Sequence, residues 1–372
     1  MLFIKTKRDM LLAPLQSVSG IVEKKHTLPI LSNVLLEKKA DIVTCVATDI
    51  EIQITTSTSG TSDDGDCAVT VGARKLQDIL RSLPDGTDVS LNLEDKRLLV
   101  RAGKSRFTLQ TLPAEEFPHM ALSDGVVNKL SVTQKQFRKL LSQTQFSMAA
   151  QDVRYYLNGL LLIVDGKELR AVATDGHRLA YASMPLDESH ESSSPRQEVI
   201  LPRKTVLELN RLLADNDEPL FIEFAANQIR FQFGSISLVS KLIDGKFPDY
   251  ERVMPATLKN IVTLNRAALL QSMVRAAILT NEKFRGVRLI LTPGSMKIMA
   301  ANAEQEEAQE EIEIDYSGDS IDVGFNVSYL LDVLNNTSVE AVEWGFNDAG
   351  SSALLTIPGN DRFKYVVMPM RI

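Results

Sequence analysis

The sequence predicts an α+β chain of three similar domains, each with two helices packed on short antiparallel strands. Three observations carry this: a long internal repeat, a regular succession of helical and alternating apolar periods, and a length too great for one core. The chain has 372 residues, and single cores stop growing well below that size. A Leu-Leu pair recurs at Leu11-Leu12, Leu140-Leu141 and Leu269-Leu270, with spacings of 129 and 129. A small polar triplet recurs at Ala47-Thr48-Asp49, Ala173-Thr174-Asp175 and Ala300-Ala301-Asn302, with spacings of 126 and 127. Periods this long mark repeated domains rather than a solenoid.

Taken in order, each repeat opens on a helix of about 15 residues, with apolar positions at helical spacing. Met10, Leu11, Pro14 and Leu15 make that face in the first copy, and Phe137, Leu140 and Leu141 in the second. Pro14 is expected to bend or end its helix near the middle. Alternating strands follow, at 33–37, 42–47 and 51–55 in the first copy. A strand-to-helix junction comes next, at Val71-Gly72, Leu201-Pro202 and Val323-Gly324. A leucine-rich second helix follows each junction. Strands at 107–112, 236–242 and 363–368 end the three repeats. Each repeat thus reads as two similar halves, giving six helices and about two dozen strands in an α+β pattern. Domain bounds fall at 1–125, 126–253 and 254–372. Their joints, 113–128 and 244–259, are rich in proline, acid and glycine, as connections should be.

Composition excludes several classes. Hydrophobic residues are 44% and charged residues 24%, as in soluble globular proteins. No apolar run of about 18 residues exists, so no membrane-spanning helix is expected. The first residues have no apolar signal core, which predicts a cytoplasmic protein. Cys45 and Cys67 fit no metal spacing and read as reduced thiols. With four scattered histidines, no metal site and no cofactor is expected.

Charge is distributed unevenly. The net charge is -7, which alone argues against nucleic acid. Yet the six predicted helices (5–22, 73–83, 131–148, 203–213, 264–279 and 326–337) hold fourteen basic and four acidic residues. They carry +10, which leaves -17 on the remainder. A basic set of helices in an acidic chain is the footprint of a polyanion partner. No zinc finger, RNP-type strand or helix-turn-helix is present, and aromatics are only 6%. Contacts should therefore be to phosphates, without sequence preference.

Two constellations invite other readings. Asp175 and His177 could be a base and its orienter in a nucleic-acid-processing enzyme. However, Gly176 between them makes a regular strand doubtful, and no nucleophile elbow, P-loop or paired metal histidines exist. A turn with a structural or partner-binding role is the simpler account. That leaves a peptide-binding adaptor without DNA binding as a further alternative. The acidic run Glu304, Glu306, Glu307, Glu310 and Glu311 reads as a solvated face or an electrostatic interface.

Several long, ordered stretches carry a specific resemblance. They include Thr27-Leu-Pro-Ile-Leu31, Gln151-Asp-Val-Arg-Tyr-Tyr-Leu-Asn-Gly159, Ala173-Thr-Asp-Gly-His-Arg-Leu-Ala180, Phe247-Pro-Asp-Tyr250, Asn281-Glu-Lys-Phe-Arg-Gly-Val-Arg288 and Tyr365-Val-Val-Met-Pro-Met-Arg371. Over its whole length the sequence resembles the bacterial DNA polymerase III beta subunit, the sliding-clamp family. The resemblance implies a non-catalytic processivity factor: a ring-shaped, head-to-tail homodimer of three clamp domains per chain that encircles duplex DNA. It implies DNA contacts at Lys25, Arg74, Gln151, Tyr155 and Tyr156, to which the basic helices add Arg138, Lys139, Arg203 and Lys204. Lys25 and Ala150 depart from residues usual in the family. The implied partners are the polymerase catalytic subunit, the clamp loader, other polymerases and repair factors, all docking by a short peptide.

The implied docking groove comprises Leu157, Thr174, Gly176, His177, Arg178, Leu179, Pro248, Arg252, Val253, Ser352, Val366, Met368, Pro369, Met370 and Arg371. Its apolar members make an adaptable slot, and its arginines are expected to orient the peptide. Deleting residues 367–372 is expected to leave a folded dimer that no longer docks partners. At the implied dimer interface Phe107 and Leu109 meet Ile278 and Leu279, while Lys75, Lys104 and Arg106 face Glu304, Glu306, Glu307 and Glu310.

Overall fold

The computed structural model describes residues 1–23, 28–63, 65–121, 125–126, 128–186 and 196–371. Two compact units emerge: Met1–Lys135 with Leu207–Leu242, and Gln136–Val206 with Ile243–Ile372. These units cut across the sequence repeats. The reason is strand pairing, which joins successive repeats into single sheets.

In the first unit one sheet holds twelve strands. Its continuity across the repeat boundary rests on the strand Ile52–Ser59 pairing antiparallel with Ile236–Lys241, in the register Thr55 to Ser237 and Ile52 to Ser240. In the second unit an eight-stranded sheet is joined the same way. The strand Arg178–Pro185 pairs with Asn360–Val367, Arg178 opposite Val367 and Leu179 opposite Val366. A separate four-stranded sheet has the strand Glu307–Glu313 at one edge.

The described residues form six α-helices: α1 (Arg8–Ser19), α2 (Ala73–Ser82), α3 (Gln134–Ser142), α4 (Arg203–Leu212), α5 (Arg266–Ala277) and α6 (Val327–Asn336). Their sequences explain their placement. α6 buries Val327, Leu330, Val333 and Leu334, a single helical face. Asn265 and Asn326 cap α5 and α6, their side-chain oxygens accepting from the Ala268 and Ser328 amides. α1 differs from expectation, because it runs through Pro14 to Ser19. Burial of Leu11, Leu12, Leu15 and Val18 holds both halves of α1 on its sheet and offsets the lost backbone hydrogen bond. The other helices come out shorter than the sequence periods suggest: α3, α5 and α6 lose their first residues to preceding strands, and all five end earlier than expected.

Core packing in the second unit centres on the chain's single tryptophan. Trp344 is wholly buried, its ring centroid 5.5 Å from that of Phe325 and 5.1 Å from that of Phe346. Among the described residues no helix is long and apolar enough to cross a membrane.

Candidate functional site

The second unit carries a groove of about 180 Å³. Two paired strands and a connecting segment build it. Its floor is Leu157, Thr174, Leu179 and Val366, all buried, and its walls include Pro248, Tyr250 and Val253. Beneath the floor lies an apolar cluster of Leu161, Val172, Phe247 and Tyr250 among others. Tyr181 stacks on Tyr250 with centroids 6.1 Å apart, which braces that wall.

One rim is the turn after the strand Glu168–Thr174. The Asp175 carboxylate accepts from the His177 and Arg178 amides at 2.9 and 3.1 Å. The Thr174 hydroxyl bonds the Arg178 carbonyl at 2.6 Å, and Gly176 takes φ of +91°. Here glycine is needed, because left-handed backbone strains other residues. The turn leaves the His177 side chain exposed at the edge. It also disposes of the general-base reading, since the Asp175 oxygens serve backbone amides and the Arg178 guanidinium rather than the imidazole.

Arg178 departs from its expected role. Nε donates to Asp175 at 3.0 Å, Nη1 to Asp332 at 2.5 Å, and Nη2 to the Phe146 carbonyl at 2.7 Å. Its guanidinium carbon sits 4.4 Å from the Tyr329 ring centroid. Burial opposes its charge, but Tyr365, Asp332 and Asp175 together push its pKa up, so it stays charged. These donors are spent on α6 and the 3-10 turn Gln145–Ser147. Arg178 therefore lines the groove with three of its five N–H donors engaged within the fold. Arg252 is 86% exposed and paired with Asp249 at 2.8 Å, outside the lining.

The other rim is the segment that follows the strand Asn360–Val367. The Met368 amide donates to the His177 carbonyl at 2.9 Å, which sets Met368, 46% exposed, on the rim beside His177. Met370 bonds the Gly324 carbonyl at 2.8 Å. Ser352, Pro369, Met370 and Arg371 also fall outside the groove lining. Val367 is wholly buried and paired on both sides, with Arg178 and Ala353. A deletion starting at Val367 would thus cut into the sheet, which corrects the expectation that 367–372 is dispensable for folding.

Three lining residues were not assigned to the groove from sequence: Arg154, Tyr156 and Tyr250. All three lie in stretches that carry the family resemblance, so the signal was present but unresolved by position. Tyr156, expected on DNA, also lines this groove. Arg154 holds the Asp152 carboxyl down at about 2 through a side-chain hydrogen bond, and its Nη2 lies 3.3 Å from the Asp175 carbonyl.

The remaining expected residues are scattered. Lys25 lies outside the described residues. Arg138 and Lys139 are exposed on α3, Lys204 is half-buried on α4, and Gln151 is exposed with φ of +60°. Tyr155 is 59% exposed and edge-on to Tyr156. Two arginines expected on phosphates have structural partners: Arg74 donates to the Val22 carbonyl at 3.0 Å, and Arg203 to that of Met148 at 3.1 Å. Each still has donors left over.

Among the expected dimer residues, Lys75, Lys104, Arg106, Glu304, Glu306 and Glu307 are exposed. Phe107, Leu109 and Leu279 are half-buried, and Ile278 is 75% exposed. Glu310 is already paired, with Arg275 at 2.5 Å.

Comparison with known proteins accounts for this arrangement. Models of the N-terminal, central and C-terminal domains of the DNA polymerase III beta subunit match residues 2–121, 131–249 and 251–371. The beta sliding clamp of Pseudomonas putida is 48% identical over 366 residues, covering 98% of this chain and 99% of its own. That of Escherichia coli (strain K12) is 46% identical over 366 residues, with the same coverage. The crystal structure of the DNA polymerase III subunit beta from Pseudomonas aeruginosa matches with TM-score 0.94 and 47% identity, each chain covered completely. Caulobacter crescentus pol III beta matches with TM-score 0.91 and 40% identity, again over both whole chains. The chain therefore belongs to the DNA polymerase III beta subunit family, the beta sliding clamps, and is a DNA-encircling processivity factor rather than an enzyme.

Proposed function

We propose that the groove of the second unit is the slot through which this clamp recruits its partners. Those partners are the polymerase catalytic subunit, the clamp loader, and other polymerases and repair factors. One observation carries the reading: an apolar floor closed on one side by Met368, held beside His177. A short peptide with two or three apolar anchors gains about 1.5–3 kcal/mol from each. That supports binding near ~1 µM, about -8 kcal/mol, weak enough for partners to exchange on one site.

The test is a titration of a labelled polymerase C-terminal peptide against wild type and a truncation lacking residues 368–372. Keeping Val367 keeps the strand. Binding should fall at least tenfold in the truncation and only partly in His177→Ala. Undiminished binding by the truncated chain would place the partner site elsewhere.

Two copies close head to tail in the same reading, with repeat bounds near 1–125, 126–253 and 254–372. Strand chemistry supports it. The strand Ser105–Leu112 is paired by the strand Cys67–Gly72 only at Leu112 and Thr111, which among the described residues leaves 105–110 open on that side. Arg106 and neighbouring Lys104 make that opening basic. The acidic edge strand Glu307–Glu313 of a second copy complements it. Within the closed pair, Arg74, Arg138, Lys139, Arg203, Lys204, Gln151 and Tyr155 meet the duplex through phosphates. Clamp loaded on circular DNA should be retained and should run off after linearisation. The compartment of this work is the cytoplasm.

A further inference from the structure

We infer that the chain carries a second, sealed copy of the docking groove in its first unit, shut by Gln53 and the Glu51–Lys241 ion pair. This rests on the reading of the open groove as a peptide slot.

The geometry of the two places is the same. In the first unit the Asp49 carboxylate accepts from the Glu51 and Ile52 amides at 3.0 and 2.9 Å. The Thr48 hydroxyl bonds the Ile52 carbonyl at 2.9 Å, and Ile50 takes φ of +70°. Asp175, Thr174 and Gly176 form that same turn at the open groove. Beside it, the Lys241 amide donates to the Glu51 carbonyl at 2.9 Å, as the Met368 amide does to that of His177. Val239 pairs with Gln53 as Val366 pairs with Leu179. The connecting segments also correspond. Phe117-Pro118-His119-Met120 matches Phe247-Pro248-Asp249-Tyr250, and Phe117 packs on Leu35 and Val46 as Phe247 packs near Leu161 and Val172.

Chemistry at three of the differing positions makes the seal. Where the open groove has Leu179, the first unit has Gln53, 9% exposed. Its Oε1 accepts from the Met120 amide at 2.8 Å and its Nε2 donates to the Met120 carbonyl at 3.2 Å. These two bonds draw the connecting segment inward, so that the Met120 sulfur lies 3.5 Å from the Thr48 hydroxyl. Thr174, the counterpart of Thr48, is open to the groove. Leucine has no polar atoms, so Leu179 cannot draw Tyr250 across in the same way. At the rim, the exposed apolar and aromatic pair Met368 and His177 is replaced by Lys241 and Glu51, joined at 3.1 Å. A peptide's apolar anchor would have to displace two reciprocal hydrogen bonds and desolvate an ion pair. The result is one usable slot per chain from a fold that repeats the slot's framework.

Two measurements test this. Amide exchange at Met120 should be slow in wild type and at least tenfold faster in Gln53→Leu, because its acceptor is gone. The triple variant Glu51→His, Gln53→Leu, Lys241→Met should bind two labelled polymerase C-terminal peptides per chain instead of one, titrated well above Kd. Adding the 368–372 truncation should return the count to one. A triple variant that folds and still binds one peptide overturns the inference, as does unchanged Met120 exchange in Gln53→Leu. Wild type that binds no peptide overturns the open-groove reading itself, and the inference with it.

Discussion

Replacing Arg178 with methionine separates two roles that its position allows. Methionine keeps the length and the apolar stem but removes the charge and every donor. In the wild type the guanidinium serves Asp175, Asp332 and the Phe146 carbonyl and lies over Tyr329, with only 9% of its side chain exposed. Breaking a fully buried pair costs about 3–5 kcal/mol. Asp332 is 43% exposed and regains water, whereas Asp175 is only 17% exposed and does not. The loss should therefore sit at the low end, about 3 kcal/mol, a shift of roughly 100-fold in the unfolding equilibrium. Urea denaturation followed by Trp344 fluorescence reads this, since the only tryptophan is buried in the same unit. Peptide affinity of the folded protein should change less than tenfold, because three of the five Arg178 donors and its place over Tyr329 serve the fold. Arg178→Lys should recover little stability, as one ammonium cannot span three acceptors. An unchanged urea midpoint together with a hundredfold loss of peptide binding would refute this reasoning and make Arg178 a ligand contact.

Ile278→Ala with Leu279→Ala should remove about 2–5 kcal/mol per large side chain at each interface, so sedimentation should find a folded monomer; a dimer at low concentration would relocate the interface. The Asp152 carboxyl, lowered by Arg154 to about 2, lends stability that is complete above the ordinary carboxylate value of ~3.9 and lost as pH falls through about 2. A carbon NMR titration should show that midpoint, and Arg154→Ala should raise it part of the way towards ~3.9, since the residue-154 amide still donates to the carboxylate. Burial pushes the Cys45 thiol up to about 12, so iodoacetamide at neutral pH should label Cys67 first and Cys45 only on unfolding.

The repeat was legible because each copy keeps its apolar spacing: the Leu-Leu pairs put Leu11, Leu12, Leu140, Leu141 and Leu269 in the core. Helix ends were less so. A strand running straight into a helix, as at Lys7 and Arg8, leaves no break in periodicity to read. The grouping of strands into units was not legible either. It depends on the pairing of Ile52–Ser59 with Ile236–Lys241, residues far apart in the chain with no local signature. At the groove, the apolar members could be named because their stretches resemble the family's. Arg178 could be placed there but not understood, because its three acceptors come from distant segments. The seal at Gln53 lay in plain sight as a polar residue in an alternating strand, and only its bonds to Met120 give it meaning.

The edge strand Glu307–Glu313 has a consequence for behaviour in a crowded cell. Open strand edges are templates for aggregation. An antiparallel pairing of this edge with itself about Glu310 would set Glu307 against Glu313 and Glu310 against its own copy. Carboxylates directly opposed in a ladder repel. This edge therefore resists antiparallel self-association and favours a basic strand as its partner.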